Sequence, residues 1–137
     1  MADGVLRLQL STSRRVQALD ITDRLTARRW PDGLLLVSVE HTTAALFLGE
    51  SGSEMFEDYE RVASGLVEAY GPFRHERWNP GNAQSHVLSS FIGTQRLLPV
   101  TDGRLDLGTW QRLILLELDG PRQRSVAVLS LAAQPLD

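Results

Sequence analysis

Apolar residues alternate with polar ones along most of the chain and recur at helical spacing over only one long stretch. Val5-Leu6-Arg7-Leu8-Gln9-Leu10 alternates and predicts a first strand, and Val16 to Ile21 predicts a second. Thr22 can cap a short helix running to about Arg29, because Pro31 and the Asp32-Gly33 turn stop it there. A strand from Leu34 to His41 follows. Period-2 geometry puts Leu35, Val37, Val39 and His41 on one face, with the imidazole ending an apolar row. Ala44 to Leu48 is a further apolar piece closed by Gly49-Glu50.

Ser51-Gly52-Ser53-Glu54 fits a capping box and opens the one long helix, in which Met55, Tyr59, Val62, Leu66 and Tyr70 form a stripe expected to be core. Gly71-Pro72 ends it. Phe73 to Ser85 reads as a polar loop long enough to carry function, and Val87 to Ile92 as a short helix. Gln95 to Val100 and Arg104 to Leu107 flank Asp102-Gly103, the dipeptide of a tight hairpin. Trp110 to Leu118 and Gln123 to Leu131 are the last strands, joined at Asp119-Gly120-Pro121. Strands on both sides of one strong helix predict an α+β domain with a largely antiparallel sheet. The second half lacks the helices that parallel crossovers need.

Composition narrows the chemistry. At 137 residues and 42% hydrophobic, the chain is long enough for one domain with its own core. The longest apolar runs, about six residues, fall far short of the roughly twenty that span a bilayer. With no charged-then-apolar leader pattern at the N-terminus, a cytoplasmic location is expected. There is no cysteine, which excludes disulfides, a thiol nucleophile and thiolate metal sites. All 14 basic residues are arginine, which excludes lysine imine chemistry and a P-loop lysine. A net charge of −3 and a pI near 5.6 give no general attraction to nucleic acid or membrane, and neither is expected as a partner.

The three histidines, His41, His75 and His86, stand at a strand end, a loop start and a loop end. They can converge on a divalent metal, with Glu50 as a further ligand or a base, or they can be three solvated imidazoles; no H-x-H or H-x-x-x-H pair decides between these. Thr42 and Thr43 offer hydroxyls to an anion or substrate, or serve only strand propensity. Glu117 lies on a strand face with apolar neighbours, where a carboxylate needs a partner. Arg122 is the natural one, whether the role is structural or catalytic. Trp110 is a packing residue or a stacking platform.

His41-Thr42-Thr43-Ala44-Ala45-Leu46, Pro72-Phe73-Arg74-His75, Asn82-Ala83-Gln84-Ser85-His86, Asp102-Gly103-Arg104-Leu105-Asp106-Leu107-Gly108-Thr109-Trp110-Gln111 and Glu117-Leu118-Asp119-Gly120-Pro121-Arg122 together resemble the YjbQ-like family, the secondary thiamine-phosphate synthase group. The resemblance runs from about Val5 to Leu131 and implies one YjbQ-like domain with a β-sandwich-like sheet arrangement, assembled as a homotrimer. It implies a metal pocket at His41, His75 and His86, holding zinc or a similar transition ion, or magnesium. It also implies transfer between a pyrimidine pyrophosphate and a thiazole phosphate. Glu50, Arg122 and Glu117 would then act in the chemistry, and Thr42, Thr43, Arg74, Asn82, Trp110 and Gln111 would contact a small phosphorylated substrate. A metal-dependent phosphoester hydrolase or a non-catalytic small-ligand-binding trimer are the alternatives. The chain departs from the family pattern at Gly49-Glu50-Ser51, where Asn-Glu-Asn is usual.

Overall fold

The computed structural model describes residues 4–77 and 81–136, so part of the polar loop predicted over Phe73 to Ser85 lies outside the described residues. The elements in chain order are β1 (Leu6–Ser11), β2 (Gln17–Asp20), α1 (Thr22–Thr26), β3 (Gly33–Val39), β4 (Ala44–Gly49), α2 (Ser53–Tyr70), a 3-10 turn (Arg74–Arg77), α3 (Ala83–Ile92), β5 (Gln95–Thr101), β6 (Arg104–Leu105), β7 (Arg112–Glu117) and β8 (Gln123–Leu131). They form an α+β domain with two antiparallel sheets, ordered β1-β8-β3-β5-β6 and β2-β7-β4.

The alternation seen in the sequence explains why two sheets form. Leu8 and Leu10, Leu35, Val37 and Val39, Leu98 and Val100, and Val126 and Val128 point from the larger sheet onto Ala44, Leu46, Leu113 and Leu115 of the smaller one. Strand β7 has no polar face for solvent. Its other side, with Ile114, Leu116 and the following Leu118, packs under α2 and α3 against Ala63 and Leu88. The molecule is therefore layered sheet, sheet, helices, and β7 is buried on both sides.

Helix α2 meets that second core mainly through Phe56, Tyr59 and Ala63. The stripe expected to be core does not hold along the whole helix: Val62, Leu66 and Tyr70 are exposed, because the three-stranded sheet is too narrow to cover the second half of an 18-residue helix. The capping box also fails. Gly52 occupies the N-cap and no side-chain cap bond forms. α1 is shorter than predicted, and α3 begins at Ala83 rather than Val87. At Gly49, a Cβ would stand 2.7 Å from Tyr59 Oη, which itself donates to the Glu50 carbonyl at 2.8 Å. Tyr59 thus accounts for the glycine at this position.

No helix among the described residues is long and apolar enough to cross a membrane. Leu115 is fully buried between the two sheets. Leu115→Ala is expected to destabilise the chain by about 2–5 kcal/mol in urea unfolding, since the surrounding strands cannot collapse onto the cavity.

Candidate functional site

At one end of the sandwich, β7 finishes at Glu117 and β8 starts at Gln123, while the β3–β4 connection carries Glu40 to Thr43. Glu117 and Arg124 are both essentially inaccessible, at 0% and 1% exposure, and they are bonded to each other bidentately: Arg124 Nε donates to Glu117 Oε1 at 2.9 Å and Arg124 Nη2 donates to Oε2. Thr12 Oγ1 donates to Glu117 Oε1 at 2.6 Å, and the backbone N–H groups of Leu118 and Asp119 reach Oε2 at 3.0 and 3.1 Å. Arg124 Nη2 also bonds the Thr43 carbonyl and hydroxyl, at 3.0 and 2.9 Å. Burial pushes the Glu117 carboxyl up, but the hydrogen bonds from Arg124, Thr12 and Asp119, with the guanidinium charge, outweigh it and leave the pKa below the ordinary glutamate value.

The predicted partnership between Glu117 and Arg122 is corrected by this arrangement. Arg122 pairs instead with Asp119, Nη2 to Oδ2 at 2.9 Å, because it sits exposed outside the β7–β8 turn while Arg124 takes the inward place in the row shared with Val126 and Val128. Gly120 sits in that turn, where a Cβ would collide with the Arg14 carbonyl oxygen and meet Thr12 Oγ1 at 2.9 Å.

A wide pocket of about 670 Å³ opens beside this ion pair, with His41, Thr42, Asn82, His86, Arg122 and Arg124 in its wall. His41 lies just beyond the end of β3, half-buried, and its Nε2 accepts the backbone N–H of Ser125 at 2.9 Å. A nitrogen that accepts carries no proton, so the neutral ring has its proton on Nδ1. Burial and the nearby Arg124 charge lower the His41 pKa, partly opposed by Glu117 and Glu40, and so favour this neutral form. His86, on the first turn of α3, packs edge-on against His75 with ring centres 4.9 Å apart. Asn82 occupies the N-cap of α3, and its Oδ1 is buried without a hydrogen-bond partner. The hydroxyls of Ser85 and Ser89, bonded to the Leu118 and Ala44 carbonyls at 2.5 and 2.7 Å, pin α3 to the strand ends and hold His86 at the rim.

His41 and His86 thus share one pocket, with His75 against His86, and Arg74 exposed next to His75 in the same 3-10 turn. Among the described residues no three histidine, aspartate or glutamate side chains stand together as a metal-binding group. The Nε2 of His41 is already engaged by Ser125. The donor set in this conformation does not fit a three-histidine metal centre, and no chemistry is routed through one.

Glu50, Trp110 and Gln111 are not brought to the pocket. Glu50 follows the far end of β4, about 20 Å along the strand from Thr43 at ~3.3 Å per residue. Trp110 and Gln111 precede Arg112, which pairs with Gly49 at that same far end. Gln111 turns its carbonyl to the Gly108 N–H at 2.9 Å, and Trp110 is 74% exposed. Thr42 is exposed at the pocket, whereas the Thr43 hydroxyl is committed to Arg124. The residue missed by sequence reasoning is Arg124. Its signal was an arginine in phase with buried Val126 and Val128.

An antiparallel α+β sandwich with a polar, histidine-bearing pocket at one rim is the class of protein that this fold and site define. The chain belongs to the YjbQ-like UPF0047 protein family, whose model matches residues 6–133. It is 39% identical over 127 residues to a UPF0047 protein of Archaeoglobus fulgidus, covering 92% of this chain and 100% of that one. To a hypothetical protein of Aeropyrum pernix K1 it superposes with a TM-score of 0.86 at 37% identity, covering 94% of this chain and 98% of the other. A Sulfolobus solfataricus relative, with a TM-score of 0.82, 32% identity and coverage of 90% and 93%, is described as a protein of unknown function. These relatives overturn the expectation of a thiamine-phosphate synthase: they share the fold and the family, and none is described with that activity or with any other.

Glu117→Gln leaves a buried guanidinium without its counter-charge and is expected to cost about 3–5 kcal/mol in urea unfolding at pH 7. Because the folded pKa of Glu117 is depressed, its contribution is fully present above the unfolded value of 4.5 and is lost as pH falls through the folded value. The stability gap between wild type and Glu117→Gln should therefore narrow in acid, and a gap independent of pH would contradict this assignment.

Proposed function

We propose that the rim pocket binds a small phosphorylated molecule, with His41 Nδ1–H as a neutral hydrogen-bond donor and Arg122 as the counter-charge. The observation that carries this reading is the Ser125 N–H to His41 Nε2 bond, which leaves the ring a donor toward the pocket. The carboxylates around it support the same reading, since each is paired with an arginine: Glu40 with Arg7 at 3.0 Å, Asp119 with Arg122, and Glu117 with Arg124. What the wall offers a ligand is thus mostly donors, from His41, Thr42 and the guanidinium of Arg122, which matches phosphoryl oxygens. A neutral imidazole beside a guanidinium can polarise a phosphoryl or carbonyl oxygen as well as hold it. Titration calorimetry with inorganic phosphate and a simple phosphate monoester tests this. His41→Ala and Arg122→Gln should each weaken binding by about tenfold or more, the equivalent of one charge-assisted hydrogen bond. Affinity unchanged in both variants would remove the reading.

The chain is further proposed to act as a homotrimer. The outward face of the larger sheet supports association: Leu36 lies between Leu97 and Leu129, and Leu34 between Pro99 and Leu131, where alternation normally places polar residues facing water. Leu97 is 55% exposed in the isolated chain. Sedimentation equilibrium at micromolar concentration should give three chains for wild type and a smaller species for Leu97→Glu. A monomeric wild type would refute the association.

A further inference from the structure

At the other end of β3 from His41, the segment before the strand and the β5–β6 hairpin enclose a second cleft, of about 650 Å³, lined by Arg28, Arg29, Trp30, Gly103, Arg104 and Leu105. The hairpin is built for this contact. Asp102 and Gly103 take left-handed backbone angles, φ 55° and 79°, so the turn is tight and its backbone faces the cleft. Three bonds dock it: Trp30 N–H to the Gly103 carbonyl at 3.1 Å, Gly103 N–H to Asp32 Oδ1 at 2.9 Å, and Arg29 Nη2 to the Asp102 carbonyl at 2.6 Å. A Cβ on Gly103 would stand 2.6 Å from the Arg29 guanidinium, so the arginine lies directly on the turn. Arg28 is stacked over the Trp30 ring with Cζ 4.5 Å from its centre, and Trp30 is itself anchored by Nε1–H to the Leu25 carbonyl at 2.7 Å.

Three guanidinium groups thus converge on a rigid cleft. Among the described residues none of Arg28, Arg29 and Arg104 has a carboxylate within ion-pair distance. Of the acidic residues of this region, Asp32 holds the Gly103 N–H, Asp106 Oδ2 accepts from Thr101 Oγ1 at 3.4 Å, and Asp102 meets Arg29 through its backbone carbonyl. Elsewhere Arg122 is paired with Asp119, and Arg112 with Asp20 and Asp23. Clustered like charges repel, and an anion carrying more than one charge relieves that repulsion while accepting several guanidinium bonds at once.

From this geometry we infer a second ligand site, at Arg28, Arg29 and Arg104, for a small molecule bearing a diphosphate. Arg28 and Arg104 hold the two phosphoryl groups, Arg29 fixes the turn beneath them, and the apolar wall of Trp30 and Leu105 takes the organic part. The net charge of −3 gives the chain no general attraction to polyanions, which favours a small anion over a nucleic acid strand.

Titration calorimetry with inorganic pyrophosphate tests this on wild type and on Arg122→Gln, whose rim pocket has lost its counter-charge, each with and without the double substitution Arg28→Gln/Arg104→Gln. Both arginines of the double variant are exposed, so its unfolding temperature should match wild type and show that the fold is kept. In the Arg122→Gln background, pyrophosphate affinity should fall tenfold or more when the double substitution is added. Affinity unchanged when the double substitution is added to Arg122→Gln, loss of all binding in Arg122→Gln alone, or no binding to wild type at millimolar pyrophosphate would each overturn the second site. A single-stranded oligonucleotide that binds more tightly than pyrophosphate and is lost in the same double variant would overturn its assignment to a small molecule. The phosphate-binding reading of the His41 pocket fails independently, through His41→Ala and Arg122→Gln.

Discussion

A carboxylate and a guanidinium can be taken out of water together only if every remaining hydrogen-bonding position finds a partner, and the Glu117–Arg124 pair imposes that demand at one rim of the sandwich. Its partners come from three places in the chain: Thr12 after β1, Thr43 before β4, and the backbone beyond β7. The pair therefore ties both sheets together where neither has a regular ladder to the other. The chain segments that carry Thr12 and Thr43 are held in place by the hydrogen bonds they make to it.

The pocket inherits that rigidity. Ser125, which follows Arg124, has its N–H aimed at His41, so the tautomer of the histidine is set by a residue whose neighbour is locked in the core. On the opposite wall, Ser85 and Ser89 tie α3 to the strand ends, and His86 and Asn82 come with it. A pocket assembled from side chains on fixed strand and helix termini can hold a ligand without first ordering its own walls.

The two ends of the sandwich differ in how charge is arranged. At the histidine rim Glu40, Asp119 and Glu117 are each matched by an arginine; at the hairpin end, among the described residues, three arginines share a cleft without a carboxylate partner. Both ends rest on the same buried layer between the sheets, centred on Leu35, Val37, Leu46, Leu113 and Leu115, which separates them and lets each be shaped by its own turns.

Much of the architecture was legible in the pattern of residues, because strand periodicity and turn chemistry are local. β8 was placed at its observed limits, Asp102-Gly103 made the predicted hairpin, and the alternation of Leu113, Leu115 and Glu117 against Ile114, Leu116 and Leu118 correctly announced a strand with two apolar faces. His41, His86 and Asn82 were singled out from the sequence and do meet in one pocket. What the sequence alone did not decide was partnership across space. Arg122 and Arg124 are two residues apart and chemically identical, and only the inward phase of β8 makes one a buried ion-pair partner and the other a surface group. Glu50 follows His41 by nine positions, yet an extended strand carries it to the far end of the sheet, because β4 runs away from the rim for its whole length. Local periodicity determines which side of a strand a residue faces. Which residue it meets there depends on sheet order and register, and those follow from the packing of the whole chain.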